Sequence, residues 1–167
     1  QIGAAGASAL AEALKINGAL IKLNLGYNHI GAAGARALAE TLKVNGALTK
    51  LHLDYNRIGA DGAVAIAEAL RRNKSIAELN IGFNTVGDAG AAALAKALRE
   101  NETLTMLILV ISHIGPDGAK AIAQALKVNT TLKIIEFSSA PYFYFNENNN
   151  FFENNTIGND GAKALAE

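Results

Sequence analysis

The residues able to do chemistry in this chain are few, and their spacing serves something else. His52 stands two residues from both Lys50 and Asp54, a grouping in which a carboxylate can orient a histidine base. No nucleophile and no second metal ligand accompanies it, so it reads as a surface histidine. His29 and His113 hold one position in copies three repeat units apart. That is roughly 14 Å at the spacing of stacked strands, too far to share a metal. The pair Gly31 and Gly34, with its counterparts, resembles a phosphate-binding turn. It recurs in each copy and lacks the Lys-Ser/Thr of a P-loop, which favours a packing role. Cysteine is absent, so neither a disulfide nor a thiolate metal site can form. No catalytic residue, metal or cofactor is expected.

Asn73-Lys74-Ser75, Asn101-Glu102-Thr103, Asn129-Thr130-Thr131 and Asn154-Asn155-Thr156 match the glycosylation acceptor pattern. The first three share one repeat position, where Asn has a structural reason to occur. Fifteen basic and fifteen acidic residues cancel, leaving no net field to attract nucleic acid or anionic lipid. No apolar run approaches the length of a membrane span. A cytoplasmic protein with no nucleic-acid or membrane partner is the expectation.

What the spacing does serve is a 28-residue period. Ile2-Gly3, Ile30-Gly31, Ile58-Gly59, Val86-Gly87 and Ile114-Gly115 open five successive copies of one pattern. Units this short cannot bury an apolar face alone and must stack on one another. In the second copy Ala35, Leu38 and Leu42 fall on one stripe of a helix, with Arg36, Glu40 and Lys43 on the solvated side. Gly31 and Gly34 are expected to make room between successive helix starts. Asn17, Asn45, Asn73, Asn101 and Asn129 follow the helices. Asn tolerates the left-handed conformation that closes many helices. Leu51 and Leu53 then point to one side of a short strand. Asn28, Asn56 and Asn84 close the strands and can form a ladder of amides along the stack.

L-x-x-L-x-L-x-x-N followed by an Ala-rich helix, at this period, resembles the leucine-rich repeat of the ribonuclease-inhibitor-like subclass. Similar repeats occur in the C-terminal regions of NOD-like receptors and in the activating protein of the Ran GTPase. The resemblance covers nearly the whole chain. It implies an α/β leucine-rich-repeat solenoid, a curved horseshoe segment with parallel strands on the concave face and helices on the convex face. It also implies a protein-binding role. Residues 1–167 then form a single array of five to six repeats.

Stacking sorts the strand residues into columns. Lys22, Lys50, Glu78, Met106 and Ile134 form one, and Asn24, His52, Asn80 and Ile108 a second. Asp54 and Val110 belong to a third, and Tyr27, Tyr55, Phe83 and Ile111 to a neighbouring one. These residues are expected to face the concave side and to bind a partner. The first three copies offer polar groups with an aromatic edge. The fourth offers Met106, Ile108, Val110 and Ile111, joined by Ile134, which together would expose a few hundred Å² of apolar surface. Three readings stay open: contact with a partner or second copy, cover from within the chain, or plain core. In the same copy Ser112 replaces the ladder Asn.

The next repeat start, Ile157-Gly158, arrives 15 residues late, which places an insertion near 141–155. Tyr142, Phe143, Tyr144 and Phe145 open it, and they are expected to cover the apolar strand or to meet the partner. Neither terminus shows a polar capping unit, so the chain is expected to be part of a longer array or to self-associate through its ends or the apolar patch. The leading function is therefore a protein-binding scaffold. A regulator of a small GTPase and the ligand-sensing segment of a larger receptor or effector are the alternatives.

Overall fold

A computed structural model describes residues 1–137 and 158–166. Helix and strand alternate throughout: α1 (Ala4–Ile16), β1 (Lys22–Asn24), α2 (Gly31–Leu42), β2 (Lys50–His52), α3 (Gly59–Leu70), β3 (Glu78–Asn80), α4 (Gly87–Glu100), β4 (Met106–Ile108), α5 (Pro116–Leu126), β5 (Ile134–Glu136) and α6 (Gly158–Ala166). The five strands form one parallel sheet in sequence order. Each strand begins one residue earlier than the Leu pairs suggest, and the columns read from the sequence are the observed register. Lys22 pairs with Lys50, Lys50 with Glu78, Glu78 with Met106 and Met106 with Ile134. This is the leucine-rich-repeat solenoid, strands on the concave side and helices on the convex.

The core lies between the two layers. Leu51, Leu79 and Leu107 from the strands, with Leu53, Ile81 and Leu109 just past them, meet Leu38, Ile66, Leu70 and Leu94 from the helices, all at most 2% exposed. Among the described residues, helices pack only with the helices adjacent to them in the series, and strands pair only with the adjacent strands. That is the one-dimensional order expected of stacked copies.

The glycines divide into two jobs. A Cβ on Gly90 would come 2.6 Å from Val86 Cγ1 and 3.0 Å from Ala63 Cβ, and Gly34 stands in the same crowded position. Gly31, expected to make room as well, has open space around it. It is there for its backbone, since φ is +63° at Gly31 and +69° at Gly59.

The asparagines after the helices correct a second expectation. Asn17 and Asn101 are extended, with φ −81° and −87°, and no Asn has positive φ among the described residues. They act through the side chain instead. Asn73 Nδ2 donates to Leu42 O at 2.7 Å and Asn45 O at 3.2 Å, while its Oδ1 accepts from Ser75 N at 2.9 Å and Ile76 N at 2.7 Å. One amide thus satisfies the last carbonyl of the helix in the preceding copy and the carbonyl of that copy's own Asn45, and starts the turn into its own strand. Asn45, Asn101 and Asn129 repeat the arrangement.

A second ladder lies at the strand ends. Asn84 Nδ2 donates to the carbonyls of Leu53, Ile81 and Gly82, each at 3.0 Å, and Oδ1 accepts from the amides of Asn56 and Ile58, both at 3.0 Å. Asn28 and Asn56 have the same role. In the fourth copy the hydroxyl of Ser112 donates to Val110 O at 3.3 Å.

Candidate functional site

Short parallel strands carry the concave face, and their register places its residues in rows. In the first row Lys50 Nζ meets Glu78 Oε2 at 2.7 Å, and His52 Nε2 of the second row meets Glu78 Oε1 at 2.7 Å. Asn80 Nδ2 donates to Asp54 Oδ1 at 3.1 Å, tying the second row to the third. Lys22 and Asn24 are exposed at the edge.

The hydrogen bond from Lys50, then that from His52, holds the Glu78 carboxyl below its usual range. A lowered carboxylate pKa stabilises the fold above the unfolded value of about 4.3, and that gain is lost as pH falls through the folded value. Glu78→Gln should therefore narrow the difference in stability between pH 7 and pH 3 relative to wild type. Urea titrations at both values measure it, and parallel losses in the two proteins would contradict the assignment.

The apolar end of the face is smaller than the sequence suggests. Met106, Ile108 and Val110 are half-buried and Ile134 is 47% exposed, but Ile111 is only 4% exposed. Its expected exposure is therefore corrected. The alternation of a strand ends at Ile108, and residue 111 is set by a turn with φ +46°. The rings of the same column reach the surface from that turn, and the shorter isoleucine side chain does not. Tyr142, Phe143, Tyr144 and Phe145 lie outside the described residues.

Tyr27, Tyr55 and Phe83 form a continuous stack. Centroids are 4.4 Å apart for Tyr27 and Tyr55 and 3.9 Å for Tyr55 and Phe83, with interplanar angles of 17° and 15°. All three occupy the left-handed region, at φ +58°, +54° and +54°, a conformation uncommon for bulky residues. The strand-end Asn ladder lies directly behind these turns and fixes them. Beside the stack runs an open groove of about 500 Å³, lined also by His29, Arg57 and Thr85. The columns above omit those three residues. A signal for them was in the sequence, since Tyr27-Asn28-His29, Tyr55-Asn56-Arg57 and Phe83-Asn84-Thr85 repeat the order aromatic, Asn, polar.

Asn73 and Asn101 of the acceptor patterns are each 3% exposed and fully engaged in the helix-end ladder. Asn154 lies outside the described residues. Among the described residues no group of His, Cys, Asp or Glu could hold a metal ion, and no helix is long and apolar enough to cross a membrane.

The family model described as Leucine Rich repeat matches residues 20–39, 47–67, 72–95, 100–123 and 150–166. Of solved structures, actin-binding site 2 (ABS2) of leiomodin-1 is 28% identical, with a TM-score of 0.69 and 75% of each chain covered. The tropomodulin C-terminal domain of Caenorhabditis elegans is 14% identical with a TM-score of 0.71, over 96% of this chain and 89% of that one. No curated protein matches.

Proposed function

Because the chain belongs to the leucine-rich repeat family, we propose that it is a non-catalytic protein-binding scaffold, and that the concave sheet is its binding face. The observation that carries this is the register. Parallel pairing brings Lys22, Lys50, Glu78, Met106 and Ile134 into one row, so a single surface passes from charged to apolar along its length. A partner can meet it with a charged rim and an apolar anchor. The 28-residue period supports the ribonuclease-inhibitor-like subclass, and the lack of cysteine suits a cytoplasmic setting.

Actin is the first partner to try, since the likeness at 28% identity is to an actin-binding site. Binding of the chain to monomeric and to filamentous actin would be compared with that of the double variant Lys22→Glu, Ile134→Glu. Both residues are exposed, so the variant should fold. A loss of about tenfold or more in the variant supports the face. Binding that the double variant leaves unchanged, to actin or to any partner later found, removes the concave sheet from consideration.

Tyr27 tests the aromatic edge separately. It is 68% exposed, and Asn tolerates its left-handed φ. Tyr27→Asn should change stability by about 1 kcal/mol or less, the worth of one ring pair, while weakening partner binding. A large drop in the thermal midpoint would mean the ring serves the fold instead.

A further inference from the structure

The groove beside the ring stack has a chemistry distinct from the rest of the concave side. Arg57 is exposed within it at φ +55°. None of the ion pairs among the described residues includes this guanidinium. No Asp or Glu lines the groove among the described residues. Tyr27, Tyr55 and Phe83 line the groove, and stacking turns their faces toward one another. Ring edges carry the positive end of the aromatic quadrupole. A cation that no described residue pairs with and a row of positive edges make a surface that attracts carboxylates and accepts flat apolar groups between them.

We infer that this groove binds an extended acidic segment of a protein partner, with Arg57 pairing one carboxylate and the ring stack carrying the neighbouring side chains. The inference rests on the protein-binding reading above and names the partner's chemistry. One guanidinium can take one carboxylate in a two-pronged bond. Among the described residues the groove holds no Lys to balance the second charge of a phosphate. The neutral chain supplies no long-range field for a nucleic-acid backbone. Three repeats at strand spacing span roughly 10 Å, the length of three extended residues.

The test uses the whole chain and a fluorescent heptapeptide, Gly-Glu-Tyr-Glu-Tyr-Glu-Gly, followed by anisotropy. Saturable binding is expected, weaker by about tenfold or more for the peptide with Gln in place of Glu and for Arg57→Asn, as fits loss of a charge-assisted bond. Asn suits the left-handed φ, and thermal melting checks the fold. Arg57→Lys, which keeps the charge and loses the fork, should fall between. Arg72→Asn, which removes an exposed charge just after α3, should bind as wild type. Equal binding of the Glu and Gln peptides overturns the inference, as does equal loss in the Arg57 and Arg72 variants. So does the absence of saturation by about 1 mM, an affinity weaker than about 4 kcal/mol. Tighter binding of a single-stranded oligonucleotide than of the peptide also overturns it. With a natural partner, retention by Arg57→Asn alongside loss by Lys22→Glu, Ile134→Glu overturns this inference alone. Retention by both sets overturns the concave-face reading as well.

Discussion

Leu79→Ala should lower the unfolding free energy by about 2–5 kcal/mol, the range for truncating a fully buried leucine. Leu79 is 0% exposed at the centre of β3, flanked in register by Leu51 and Leu107. A cavity there is lined by two other strands and by the helices behind them, and these cannot all close around it. The loss should sit at the upper end because each copy leans only on its neighbours. Glu68→Ala, on the exposed side of α3, should cost about 0.5 kcal/mol or less. Chemical denaturation of the two variants compares them directly. Equal midpoints would show that the layers have been assigned the wrong way round.

Asn84→Ala should cost about 3 kcal/mol or more, rivalling the core leucine even though a polar side chain is removed. The change orphans the carbonyl of Ile81 and the amides of Asn56 and Ile58, in a site where Asn84 is 3% exposed, while Leu53 O keeps Asn56 Nδ2 and Gly82 O keeps the Tyr55 amide. Each buried polar group left without a partner costs about 1–3 kcal/mol, and the terms are not additive. Asn84→Asp sharpens the test. Its carboxylate keeps the acceptor but loses both donors while facing three carbonyl oxygens. It should be at least as damaging as Ala at pH 7, with the gap narrowing as pH drops and the carboxyl protonates. An Asp variant as stable as wild type at pH 7 would mean the ladder is replaceable by water.

Period and register were legible in the sequence because the same apolar positions recur in phase, and a one-residue slip would turn every leucine of a strand to the wrong face. The rows from Lys22 to Ile134 and from Asn24 to Ile108 follow from that alone. What failed was local backbone geometry. Asn17 and Asn101 are extended, whereas the left-handed places go to Tyr27, Tyr55, Phe83 and Arg57. Propensity assigns such places to Asn and Gly. Here the buried amide of the ladder takes Asn inward, and its neighbours must absorb the turn. The groove with Arg57 was missed for the same reason, because it is built from residues beyond the strands, where alternation no longer says which way a side chain points. Ile111 went astray by the same rule.

The bonds that the two amide ladders make between copies join residues close to one repeat apart, as in those from Asn56 to Leu25 and from Asn84 to Leu53, both 31 residues away. Adding a copy to the growing stack therefore closes a loop of the same length each time, at the same entropic cost. Folding then advances as a front that recruits one copy after another and can start from any well-formed pair. Its speed at each step is set by how firmly the next copy clips on. Each ladder amide reaches back to the preceding copy, and at Ser112 the clip is a hydroxyl with one donor where an amide offers two, so the front should pause between the third and fourth copies. Thermal fluctuations should open the array at the same seam, and hydrogen exchange at Ile81 and Phe83, whose amides bond across it to Ile108 and Val110, should run ahead of that at Leu53 and Tyr55 one copy earlier.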